Sequence, residues 1–223
     1  MKYTTSTLSS SLGQTLRASA FALVSVVLLA YQGETVAQTV DSNKYKPVRE
    51  EITVTTGSKV EVAELFWFGC GHCFALEPAI KEWKKNIPEN AEFKKVPALF
   101  SKRWEFHGQA FYTMQSLGVP EAAYDEFFSN LHVKRKPINN IAQLTSFLKN
   151  YDITTEQVES AFNSFDVNNK MRAAKKITQQ SGATGVPAII VDGKYLTSQQ
   201  LGGGTSEMFE VVNQLIGKAA SER

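Results

Sequence analysis

The stretch that decides the fold is Leu65-Phe66-Trp67-Phe68-Gly69-Cys70-Gly71-His72-Cys73-Phe74-Ala75-Leu76-Glu77-Pro78. An apolar run ends in a glycine and delivers the only two cysteines of a 223-residue chain. Working back from Phe68 to Val60, the run is apolar apart from Glu61 and Glu64, a pattern that fits a strand buried on both faces. Working forward, Cys73, Leu76, Ile80 and Trp83 recur at three or four residues, the spacing of a helix. The local plan is strand, sharp turn, helix, with Cys70 at the helix N-terminus. There the free N–H groups and the positive end of the dipole favour a thiolate over a thiol. His72, between the two cysteines, can add positive charge or a hydrogen bond to the same sulfur.

Two thiols at this spacing admit three readings: a redox disulfide, half of a metal site, or two core residues. The N-terminus bears on the choice. Lys2 and Arg17 flank a polar lead, Ala18 to Tyr31 is apolar apart from two serines, and Thr35-Val36-Ala37 presents small residues where a signal peptidase reads. This predicts a secretory signal over residues 1–37 cleaved after Ala37, the apolar part being short for a span of about 20 residues; an uncleaved membrane anchor is the second reading of the same segment. An exported CxxC meets an oxidising compartment. A disulfide across so short a loop constrains little of the unfolded chain, so it calls for a chemical rather than a structural explanation. A structural zinc site wants four ligands, and no second cysteine pair or closely spaced histidine pair is present. No metal ligands are assigned.

Composition is that of an ordinary globular protein: 43% hydrophobic, 21% charged, formal net charge +2. The longest basic run, Lys134-Arg135-Lys136, is too short for a nucleic-acid footprint and reads as a solvated loop.

Along the rest of the chain, residues 38–47 read as a polar lead-in, Val48 to Thr56 as a strand, and Ala91 to Leu99 as another. Residues 104–182 carry helical patterns only, over Phe106–Leu117, Glu121–Leu131, Ile141–Leu148, Thr155–Phe165 and Val167–Gln180. Strand chemistry returns at Val186 to Val191, followed by an Asp192-Gly193 hairpin turn, Lys194 to Thr197, and a closing amphipathic helix over Ser206–Ala219. The order predicts an α/β domain, residues 38–103 and 183–223, split by a helical insertion over 104–182.

Two separated parts of this pattern resemble the DsbA family of periplasmic thiol:disulfide oxidoreductases, within the thioredoxin superfamily. One is Glu64, Phe66, Phe68, Gly69 and the Cys70-Gly71-His72-Cys73 motif; the other is Gly185-Val186-Pro187-Ala188 ahead of a strand. The resemblance implies a thioredoxin fold with an inserted helical domain. It implies an enzyme that introduces disulfides into exported proteins, with Cys70 the exposed nucleophile and Cys73 its buried partner. Gly71 and His72 would tune the redox potential, and Glu64 would be a buried acid beneath the motif with Lys94 or Lys95 as its basic partner. Pro187 would be a cis-proline and Val186 the residue that pairs with an extended substrate. Partners implied are unfolded exported proteins with free cysteines and a DsbB-like membrane quinone reductase for reoxidation, in the periplasm and with no bound cofactor. Many members carry proline where Gly71 stands, and the Gly-His pair also occurs in protein disulfide isomerases. A disulfide isomerase or reductase therefore stays open beside the oxidase, and a metal carrier behind both.

Overall fold

A computed structural model describes residues 1–4 and 40–223. The predicted signal segment and its cleavage site lie outside the described residues, apart from the first four positions. Chain order is β1 (Lys46–Pro47), β2 (Val60–Phe66), α1 (Gly71–Lys84), β3 (Ala91–Pro97), α2 (Lys102–Ser116), α3 (Glu121–His132) and α4 (Ile141–Leu148). After a short 3-10 turn follow α5 (Thr155–Phe162), α6 (Phe165–Ser181), β4 (Ala188–Val191), β5 (Tyr195–Thr197), α7 (Gln199–Gly202) and α8 (Thr205–Ser221).

The five strands form one sheet in the order β1-β5-β4-β2-β3. β2 is central, parallel to β3 and antiparallel to β4, and all seven of its residues are buried. This is why its sequence is nearly continuous in apolar residues rather than alternating. Its side chains serve two cores. Val60 and Val62 pack with Leu76, Ile80 and Trp83 of α1 and with Met208, Val212 and Leu215 of α8. Ala63 and Leu65 belong to the other core, with Phe111, Phe127, Phe128 and Leu144 from the helices between β3 and β4. Strand alternation puts Glu64 on the side of Val60 and Val62, facing α1.

Most helix boundaries agree with the sequence pattern. Thr154 caps α5 through a full capping box with Gln157. Asp192 and Gly193, at φ 53° and 65°, make the turn between β4 and β5. The N-terminal strand assignment needs correction. Val48 to Thr56 is irregular, and the strand is Lys46–Pro47, placed within the expected lead-in. The segment after it is held by single bonds to turns and helix ends: Val48 N–H to the Lys194 carbonyl, Glu50 N–H to Gln180, and Ile52 N–H to Gly193, all 2.9–3.0 Å. Its alternating apolar residues resemble a strand, but β5 is only three residues long and offers no further ladder to pair with. Two small elements, β1 and α7, are too short to show a periodic pattern in the sequence.

Candidate active site

Cys70 is the N-cap of α1, and its sulfur accepts the Cys73 backbone N–H at 3.2 Å. The sharp entry into the helix depends on Gly69. A Cβ there would fall 2.2 Å from the Trp67 ring, which lies across the turn and stacks on Trp104 at 4.3 Å. Behind the motif, α1 continues through Pro78 and buries Cys73, Leu76, Glu77, Ile80 and Trp83.

The two thiols have unlike surroundings. Cys70 is half-buried, and its thiol is lowered to about 6. The Cys73 side chain as hydrogen-bond donor is the largest cause; partial burial opposes it, and the backbone N–H groups of Cys73 and His72 and the charge of His72 assist. Cys73 is fully buried, and that burial, reinforced by the adjacent Cys70 sulfur, pushes its thiol far up. One sulfur is thus set to be a thiolate and the other a thiol, the asymmetry that sequential thiol exchange requires.

Across from Cys70 stands the loop entering β4. The Val186–Pro187 bond is cis. The Cys70 thiol donates to the Val186 carbonyl at 3.4 Å. Residues 116 apart in sequence meet here, and a cleft of about 740 Å³ runs from His72 over residues 182–188 to Lys46, Leu196 and α7.

Beneath the motif lies a buried charge cluster. Parallel pairing of β2 with β3 sets Lys95 beside Glu64. Its ammonium is 3.1 Å from Glu64 Oε2, bonds the Glu77 carboxylate on α1, and lies over the rings of Phe66 and Phe128 at 5.1 and 5.7 Å. The basic partner is therefore Lys95; Lys94 pairs with Glu61 instead, at 2.7 Å. Glu64 is completely buried, and neither of its oxygens accepts a well-formed hydrogen bond. Burial raises its carboxyl to about 7, against the pull of Lys95. Lys95 itself is held up: burial lowers it, but the two carboxylates together outweigh that.

His132, given no role from the sequence, takes part in framing the turn. Its Nε2 bonds the Phe68 carbonyl at 2.7 Å, and its ring stacks on Phe74, immediately after Cys73, at 5.1 Å and 9°. No local signal marks it, because the contact spans 64 residues. His107 is buried with Nε2 on the Ile138 carbonyl, and burial lowers it to about 4, which keeps it neutral and structural. Among the described residues no three His, Cys, Asp or Glu side chains gather as a metal ion would require.

Fold and site define a thioredoxin-fold protein built around a redox-capable dithiol. Comparison with known proteins narrows the class. The sequence profile described as DSBA-like thioredoxin domain matches residues 75–215, beginning just past Cys73. The chain is 35% identical over 175 residues to the thiol:disulfide interchange protein DsbA of Pseudomonas aeruginosa, covering 78% of this chain and 83% of that protein. It is 34% identical over 173 residues to the protein of the same name from Azotobacter vinelandii, covering 78% and 81%. The crystal structure of Pseudomonas aeruginosa DsbA superposes with a TM-score of 0.76 at 34% identity, over 81% of this chain and 95% of that one. The chain belongs to the DsbA-like thioredoxin family.

Proposed function

We propose that this chain forms disulfides in exported proteins through Cys70 and Cys73. Membership of the family makes it a thiol:disulfide oxidoreductase acting on protein cysteines. The observation that carries the direction is the unequal pair: a half-exposed sulfur that leaves easily as a thiolate beside a buried one that holds its proton. A substrate thiolate attacks the Cys70 sulfur of the enzyme disulfide; the Cys70–Cys73 bond breaks, and Cys73 departs with the electron pair and takes up a proton. The substrate's second thiolate then attacks the substrate sulfur of the mixed disulfide, and Cys70 leaves as a stabilised thiolate. Two electrons pass from substrate to enzyme.

His72 brings a backbone N–H and positive charge to Cys70, and with Gly71 it forms the dipeptide that tunes the redox potential. Glu64, whose charge acts on both sulfurs, loses it near neutrality and so limits the penalty of forming the thiolate. Val186, with its carbonyl already on the Cys70 sulfur, would pair with an extended substrate beside Pro187. A membrane quinone reductase of the DsbB kind would restore the disulfide. The site of action would be the periplasm, after cleavage behind Ala37; N-terminal sequencing of the exported protein should read from Gln38. No helix among the described residues is long and apolar enough to cross a membrane.

The test is to mix the oxidised protein with a reduced peptide carrying two cysteines and follow peptide mass. Loss of two hydrogens from the peptide with gain of two free thiols on the protein is expected, and a Cys73→Ser variant should accumulate a mixed disulfide at Cys70. No peptide oxidation, or trapping at position 73, would contradict the assignment.

A further inference from the structure

Among the described residues, fourteen line the cleft beside Cys70, and Lys46 and His72 are the ionisable ones of these. No carboxylate among the described residues lines it. The remainder is the loop entering β4 and its first residue Ala188, the apolar Leu196 and Leu201, and the neutral polar residues Ser198, Gln199 and Gln200. Lys46 is exposed on the edge strand β1, and among the described residues no acidic side chain lies within 4 Å of its ammonium. Other cations stand by the turn before Cys70, outside the cleft lining. Arg103 stacks its guanidinium over Trp67, the ring that covers the turn before Cys70, at 5.6 Å. Arg135 and Lys136 follow His132, the side chain that holds that turn, and neither has a carboxylate partner among the described residues.

A peptide laid along Val186 enters this cleft, because Val186 and His72 line it and the Val186 carbonyl lies 3.4 Å from the Cys70 sulfur. Extended residues advance about 3.3 Å each, so side chains a few positions from the reacting cysteine reach Lys46. We infer that the cleft selects substrate cysteines flanked by aspartate or glutamate, with Lys46 as the residue that reads the acidic side chain. This rests on the oxidase reading and names the class of substrate segment it prefers. Charge complementarity of this kind acts chiefly on encounter and orientation, so it should appear in the second-order rate and fade with salt.

The experiment uses reduced dithiol peptides identical except for Glu, Gln or Lys at successive positions beside the attacking cysteine. Each rate with the oxidised protein is divided by the same peptide's rate with a small neutral disulfide, which removes the effect of the charge on the thiol itself. The wild-type protein should oxidise the best-placed Glu peptide about three- to fivefold faster than its Lys counterpart, the range of one partly exposed ion pair. That ratio should collapse toward one in high salt, and Lys46→Glu should invert it. Equal normalised rates at every position, or a preference for Glu that survives Lys46→Glu intact, would overturn the inference. If no peptide is oxidised at all, the oxidase reading falls and this one with it; if all are oxidised alike, only this one falls. Thermal melting of Lys46→Glu, an exposed position with no ion-pair partner among the described residues, confirms that inverted rates come from a folded protein.

Discussion

Cys70 and Cys73 are three residues apart, yet one is lowered to about 6 and the other pushed far above the ordinary thiol range. The difference is burial and the direction of one hydrogen bond. Alkylation of the reduced protein should therefore modify Cys70 alone, with a rate that is half-maximal near pH 6 rather than near the pH 8–9 of a free thiol. A midpoint above pH 8 would remove the basis for an activated cysteine. Glu64 supplies a second prediction. Its carboxyl is raised from about 4.5 to about 7, so folding binds a proton there between those values, and stability falls as pH rises through that window. Glu64→Gln should flatten this fall and become the more stable protein above pH 7; urea unfolding at pH 5 and pH 8 measures it. Position and type of Cys70, Cys73, His72 and Glu64 are legible in the sequence, because a lone CxxC after an apolar run has few readings. The choice between Lys94 and Lys95 is not, since both follow the same strand pattern and only the β2–β3 register separates them. His132 and Lys46 are invisible for a related reason: each reaches the site from an element far away in the chain.

At the scale of elements, short-range chemistry explains what the sequence reveals. The Asp192-Gly193 pair announces its turn, and the structure shows how strictly glycine is required: at φ 65°, a Cβ would fall 2.0 Å from the Ile52 carbonyl oxygen. Gly193→Ala should cost about 2 kcal/mol or more in unfolding free energy, because the obstacle is backbone that cannot rotate away. Thr154→Ala removes half of a capping box and should cost about 1 kcal/mol, located in α5. Hydrogen exchange would confirm that location. Irregular segments are where sequence pattern misleads. Val48 to Thr56 alternates like a strand, yet its bonds go to Lys194, Gln180 and Gly193 one at a time, and no local periodicity encodes partners of that kind.

The whole molecule couples these parts. The helices between β3 and β4 share a core with β2 and provide His132 and Trp104 to the CxxC turn, while α1 and α8 close the other face. Redox state must then show in global stability. In the reduced protein Cys70 has a folded value near 6 and an unfolded value near 9, so the unfolded chain binds the extra proton between them. The reduced form should gain stability relative to the disulfide form as pH rises from 6 to 9, and lose that advantage as pH falls through 6. Glu64 is present in both forms and is raised in part by the Cys70 charge, so the comparison reads the thiolate together with its effect on Glu64, and repeating it in Glu64→Gln separates the two. A protein more stable reduced than oxidised at neutral pH is an oxidant, whereas the reverse order marks a reductase. The measurement that tests this most directly is a glutathione redox titration of the Cys70–Cys73 pair at pH 7. A reduction potential well above thioredoxin's roughly −270 mV is expected, and a value at or below that figure would contradict an oxidising role for the pair.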